Sequence, residues 1–168
     1  MKKALIVLTV SIFLSTSWSL VFGAEMAKEG ESNYKLAKSF ISKNLPFEKE
    51  RVEVQIEECG VVVEAKEDSP LYNATAYTLA EMHIYKGAWE VRGFIRYTRP
   101  DGDQIFAVID SKGTMAEGAK SKVTFVGGTG KCAGITGTGE WTGVRGLKAP
   151  KEGVDMGISI GKFNWKIP

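Results

Sequence analysis

The sequence holds only one His and two Cys, so a structural zinc site lacks nitrogen and sulfur ligands unless carboxylates complete it. It also lacks a block of basic residues. Nothing is therefore set out to neutralise a run of phosphates, which is what supplies nucleic-acid affinity. No second long apolar run follows the first segment, so the rest of the chain offers no apolar helix of membrane-spanning length. What is present is ordinary in amount, with 43% apolar and 25% charged residues over 168 positions. Such a chain can bury one proper core, and disorder, collagen and coiled coil are set aside. The compositional excess is Gly, at 19 residues, above the usual level of roughly 7%.

The first segment reads as an address. Met1-Lys2-Lys3 is a short positive start, Ala4 to Leu14 is almost wholly apolar, and Val21 and Gly23 stand at the −3 and −1 positions of a cut after Gly23. This is the pattern of a secretory signal peptide, with a membrane anchor as its rival. Cleavage predicts a mature chain that begins at Ala24, is exported to a periplasm or secreted, and has no stable membrane span. It removes two positive charges and no acid, so a formal charge of +2 falls to neutral. Export also bears on Cys59 and Cys132. A lone pair in an oxidising compartment is often bridged, and the alternative is two separate buried thiols.

Three segments are expected: the signal peptide at 1–23, an N-terminal segment at 24–50 carrying a short helix, and a β-domain at 51–168. The helix is predicted over residues 32–45, from Tyr34, Ala37, Ile41 and Leu45 at helical spacing with Pro46 after them. From residue 51 the period is two. Val52, Val54 and Ile56 alternate with Glu53, Gln55 and Glu57. Over residues 74–86, Tyr77, Leu79, Glu81, His83 and Tyr85 share one face, while Ala76, Thr78, Ala80, Met82 and Ile84 share the other. Residues 89–98 and 104–110 form a hairpin about Arg99-Pro100-Asp101-Gly102-Asp103. Further strands are expected at 121–127, 131–136, 138–144 and 154–160. At the C-terminus the apolar phase moves from Val154, Met156, Ile158 and Ile160 to Phe163, Trp165 and Ile167, which predicts a bulge near Gly161-Lys162. The predicted class is all-β: a small antiparallel barrel of about eight strands with one short N-terminal helix. A β-sandwich and an outer-membrane barrel are the alternatives.

Gly127-Gly128-Thr129-Gly130-Lys131 invites a nucleotide reading and fails it. The phosphate-loop frame would begin at Phe125, and Cys132 stands where the magnesium-binding hydroxyl belongs. A turn held by Gly127, Gly128 and Gly130 is the better reading. The run Val126 to Lys131, followed by Gly134 and Gly137, resembles the glycine signature of the allene oxide cyclase and dirigent barrels. Tyr97 through Asp110 together with Gly127 through Gly139 is similar to a functionally undefined group of exported bacterial proteins assigned to that barrel type. The resemblance spans roughly residues 83–143 and implies an eight-stranded antiparallel barrel with a partly apolar interior. Cys132 departs from the pattern, which usually has an aromatic there. No catalytic residue of the plant proteins is matched, so the resemblance implies no activity.

Among polar candidates, His83 is the sole proton shuttle of ordinary neutral-pH range, and it shares a face with Glu81 and Tyr85. Glu90, Arg92 and Arg96 share another. If these faces line the lumen, His83, Tyr85, Arg92 and Arg96 would orient a ligand. If they face out, they are a solvated surface. Asp101 and Asp103 fall short of a calcium ligand set and read as turn residues, so no metal site and no cofactor is implied. Three functional classes follow: a barrel binding a small apolar ligand, which is favoured; a cyclase- or isomerase-like enzyme; and a structural or protein-interaction barrel with a filled interior. An ionisable cluster inside an open cavity would separate the enzyme from the binder.

Overall fold

The computed structural model describes residues 25–114, 120–147 and 151–168. The predicted leader at 1–23 lies outside the described residues. Eight strands form a closed barrel in chain order: β1 (Glu29–Glu48), β2 (Arg51–Glu64), β3 (Thr75–Tyr85), β4 (Ala88–Thr98), β5 (Gln104–Thr114), β6 (Lys120–Gly128), β7 (Thr136–Leu147) and β8 (Asp155–Lys166). Every neighbouring pair is antiparallel, and β1 closes onto β8 from Glu29 opposite Lys166 to Phe40 opposite Asp155. Closure removes most of the sheet's free edge.

The expected helix over 32–45 is instead part of β1. The helical spacing of Tyr34, Ala37, Ile41 and Leu45 competes with a period of two in Tyr34, Leu36, Lys38 and Phe40. The second pattern prevails because two strands, one of them at the far end of the chain, satisfy β1's backbone groups. The barrel therefore begins within the segment at 24–50.

Two further expectations are corrected. Residues 131–136 are not a strand; a short 3-10 turn, Gly130–Cys132, joins β6 to β7. No bulge occurs at Gly161-Lys162, since β8 keeps register with β1 and β7 there. Odd positions face inward along β8 from Gly157 onward. Toward its start these are Gly157, Ser159 and Gly161; toward its end they are Phe163 and Trp165. The apparent phase change is a change of residue size on one face, with Ile160 left half-exposed outside.

One end of the barrel is plugged. The β2–β3 connection folds across it and buries Ser69, Pro70, Leu71 and Ala74 beside Ile105, Cys132, Ile135 and Ile167. Backbone bonds hold the plug. Ala27 N–H donates to Asp68 O at 2.8 Å, Val62 N–H to Ala74 O at 2.8 Å, and Ile167 N–H to Lys28 O at 2.7 Å. Below it, edge-on ring contacts run Tyr97–Phe125 at 6.4 Å, Phe125–Phe163 at 5.7 Å and Tyr34–Phe163 at 5.7 Å. A Cβ at Gly161 would stand 2.8 Å from the Tyr34 ring, so this glycine gives the ring its place.

The far end carries the β1–β2 turn and the two-residue turn at Lys86-Gly87, both of whose φ values are positive (51° and 79°), as tight hairpins require.

Candidate functional site

The lumen narrows to packed aromatics at the plugged end and opens toward the other. Its cavity measures about 70 Å³, several times the ~10–15 Å³ that one water needs. Apolar walls come from Leu36, Ile56, Met82, Trp89, Ile109 and Trp141. The space exists because inward positions of β6, β7 and β8 carry Ser121, Gly143, Gly157 and Ser159.

Among the described residues, two charges stand inside. Lys38 and Glu58 both belong to inward phases otherwise filled by Tyr34, Leu36 and Phe40 on β1 and by Val54, Ile56 and Val62 on β2. Lys38 Nζ lies 2.6 Å from Glu58 Oε2, and the two side chains are only 9% and 12% exposed. Register explains the geometry. Lys38 stands opposite Gly60 on β2 and Gly157 on β8. With no side chain on either side, its stem turns diagonally toward Glu58. The ammonium also sits 4.5 Å over the Trp141 ring, an attractive contact with the ring face. Thr78, directly opposite Glu58, donates its hydroxyl to Glu58 Oε1 at 3.4 Å.

Two tyrosines and a serine complete the polar set. Burial pushes the Tyr34 hydroxyl far above the usual phenol range, with Tyr97 and Glu58 adding to the shift. Burial, then Glu58, does the same to Tyr97. Both are neutral hydroxyls at any working pH, and Glu58 acts on each. Ser159 Oγ is buried and has no hydrogen-bond partner among the described residues.

None of the four residues expected to orient a ligand lines this cavity. Even positions of β4 and odd positions of β3 face outward. His83 Nδ1 pairs with Glu53 on the outer wall. Tyr85 is half-exposed beneath Lys86 Nζ, 5.1 Å from its ring. Arg92 Nε lies 3.9 Å from Asp110 Oδ1, and Arg96 stands 5.7 Å from the Tyr77 ring. Arg92 also edges an open outer groove with Ile41, Leu79 and Phe94, the last 71% exposed. The alternation along β3 and β4 is as expected, and the face chosen for the lumen is corrected. On β3 the short Ala76, Thr78 and Ala80 go inside, where they leave room, and the longer side chains go out.

The cysteines do not bridge. Cys59 faces outward on β2 and Cys132 is fully buried in the plug, with its Sγ 3.9 Å from Met26 Sδ. Gly127, Gly128 and Gly130 do shape the β6–β7 connection. Gly130 has φ of 52°, and a Cβ at Gly128 would lie 2.6 Å from the carbonyls of Gln104 and Cys132. Asp101 and Asp103 lock this connection to the β4–β5 turn. Asp103 Oδ2 accepts the Lys131 N–H at 2.8 Å, and Asp101 Oδ2 takes Lys131 Nζ at 3.1 Å. Among the described residues, no cluster of three or more His, Cys, Asp or Glu could hold a metal ion.

Sequence reasoning missed Lys38 and Glu58. The signal was a charge standing in phase with an apolar alternation, and reading 32–45 at helical spacing hides that phase at Lys38.

Fold and site together define a closed eight-stranded antiparallel barrel with an ion pair in an apolar lumen. No family model matches the chain, and no curated protein matches it. Among solved structures it is similar to a pterocarpan synthase dirigent protein, at 13% identity, over 91% of this chain and 99% of that one, with a TM-score of 0.49. No activity is carried over from that likeness.

Proposed function

We propose that the chain is an exported barrel protein that binds a small, mainly apolar ligand in its lumen. One observation carries the reading: Gly and Ser replace large side chains at inward positions of one end, leaving an apolar cavity that reaches Lys38 and Glu58. Apolar burial supplies most of the affinity, at roughly 25 cal/mol per Å² before the costs of association. The polar end fixes orientation, as a few convergent polar groups do in ligand sites. The cavity suits a small ring or short chain. Export rests on the residue pattern of 1–23.

Trp89 and Trp141 line the cavity and report on it. The test is a fluorescence titration with cyclic ketones, alcohols and hydrocarbons. Wild type is expected to show a saturable change. Gly143→Leu, whose added Cβ meets only the Trp141 ring at 3.4 Å, fills the lumen and should lose it. Arg92→Ala and Arg96→Ala should keep it. An unchanged titration in Gly143→Leu would refute the lumen as the site.

A second reading, an isomerase-like enzyme, is favoured by a separate observation, the Lys38–Glu58 pair inside the cavity.

A further inference from the structure

Stability does not explain the Lys38–Glu58 pair. Buried ion pairs are often replaceable by apolar residues of like volume without loss, and the other polar groups described in this lumen are neutral hydroxyls. The pair does have the layout of an acid–base couple. Glu58 Oε2 faces Lys38 Nζ at 2.6 Å, while among the described residues Oε1 takes only the long 3.4 Å contact from Thr78, which leaves lone pairs to meet a ligand. The ammonium carries three N–H groups. One side is turned to Glu58 and another lies over Trp141. Among the described residues, one N–H is left for an incoming acceptor.

We propose that this pair makes the lumen a proton-transfer site for a small apolar ketone or aldehyde with an enolisable α-carbon. The inference rests on the lumen-binding reading above. A carbonyl oxygen and its α-carbon are two bonds apart, so one ligand group meets the charged donor and the base together. Glu58 takes the α-proton. The C–H electron pair becomes the C=C bond, and the carbonyl π pair moves onto oxygen, where the Lys38 ammonium holds the charge. Return of the proton to the same carbon regenerates the ketone. Return to the γ-carbon of a β,γ-unsaturated ketone gives the conjugated isomer. Nothing is oxidised or reduced, and no co-reactant is consumed. Fixed charges in an apolar site act more strongly than in water. Ser159 Oγ, buried, without a partner among the described residues and lining the same cavity, offers the ligand oxygen a second hydrogen bond.

The experiment incubates the purified protein with cyclohexanone in D2O and follows deuterium uptake at the α-carbons by NMR. In parallel, 3-cyclohexen-1-one is followed by the absorbance of its conjugated isomer. Exchange and isomerisation are expected above the buffer blank, and Glu58→Gln and Lys38→Met should each be at least ~100-fold slower. The double variant Lys38→Met with Glu58→Leu strands no buried ion, should be as inactive, and serves if a single variant fails to fold. Glu57→Gln, on the outer wall, should keep wild-type rates. Saturation-transfer NMR on the same samples separates the two readings. Saturable binding without exchange overturns the proton transfer and leaves lumen binding standing; absence of binding overturns both. A ligand-sized mass gain after borohydride treatment would reveal an imine at Lys38 and overturn its role as donor to the enolate oxygen.

Discussion

At the plugged end, the inward residues of β6 and β8 are Val123, Phe125, Phe163 and Trp165; at the open end, the same two strands turn Ser121, Gly157 and Ser159 inward. Both ends belong to one antiparallel ladder, with register shifts in the β1–β2, β5–β6 and β7–β8 pairs, and side-chain volume on β6 and β8 marks where the barrel is solid and where it is hollow. The solid end carries the Phe125, Phe163 and Trp165 rings, the plug and the buried Cys132. The hollow end carries the two charges. Stability and the candidate chemistry are thus assigned to different ends of one sheet, and substitutions at each should separate in what they change.

Phe163→Ala strikes the solid end hardest. The ring contacts Tyr34, Phe125 and Trp165, and its loss should lower stability by about 3–5 kcal/mol in urea unfolding. At the hollow end, Glu58→Leu alone leaves Lys38 buried and unpaired, at a cost of about 3–5 kcal/mol. Adding Lys38→Met should return stability to near wild type; a double variant no more stable than the single one would show that the pair holds the fold. Gly143→Leu fills space without crowding a packed core, so its stability should change by less than about 1 kcal/mol, below the usual cost of overpacking, while ligand response disappears. That separation of stability from binding is the sharpest form of the contrast.

The smallest effect concerns Asp101. Burial works against its ionised form, but Lys131, the Asp103 N–H and Arg99 together hold its carboxyl below the usual range. A depressed folded pKa gives stability that is present above the unfolded value of about 3.9 and is lost as pH falls through the folded value. Asp101→Asn should therefore lower stability at pH 7 slightly, by less than about 1 kcal/mol after solvent screening. The gap between variant and wild type should close on acidification below about pH 4. A gap that stays constant from neutral to strongly acid pH would remove the charge from this account of the turn.

Much of the architecture was legible in the residues. Alternation identified β3, β4 and β5, the Arg99–Asp103 segment announced its turn, and Gly127 to Gly130 marked a connection. Two kinds of information were not local. Which face of β3 and β4 turns inward depends on barrel curvature and lumen volume, so the alternation leaves both faces open for His83, Tyr85, Arg92 and Arg96; they lie outside, and Ala76, Thr78 and Ala80 occupy the inside. The strand state of 32–45 depends on pairing with β8, a partner at the other end of the chain. Helical spacing was therefore an adequate local description and a wrong global one. Lys38 was lost with it. Read at a period of two, it is a lone charge between Leu36 and Phe40, opposite two glycines, and it could have been found from the sequence once β1 was recognised as a strand.

Isotope-filtered NOE spectroscopy with cyclohexanone tests most directly whether the hollow end is the working end. Contacts from the ligand's protons to Trp89, Ile109 and Trp141 inside the barrel are the predicted result. Contacts confined to Leu79 and Phe94 on the outer wall, or none at saturating ligand, would contradict it.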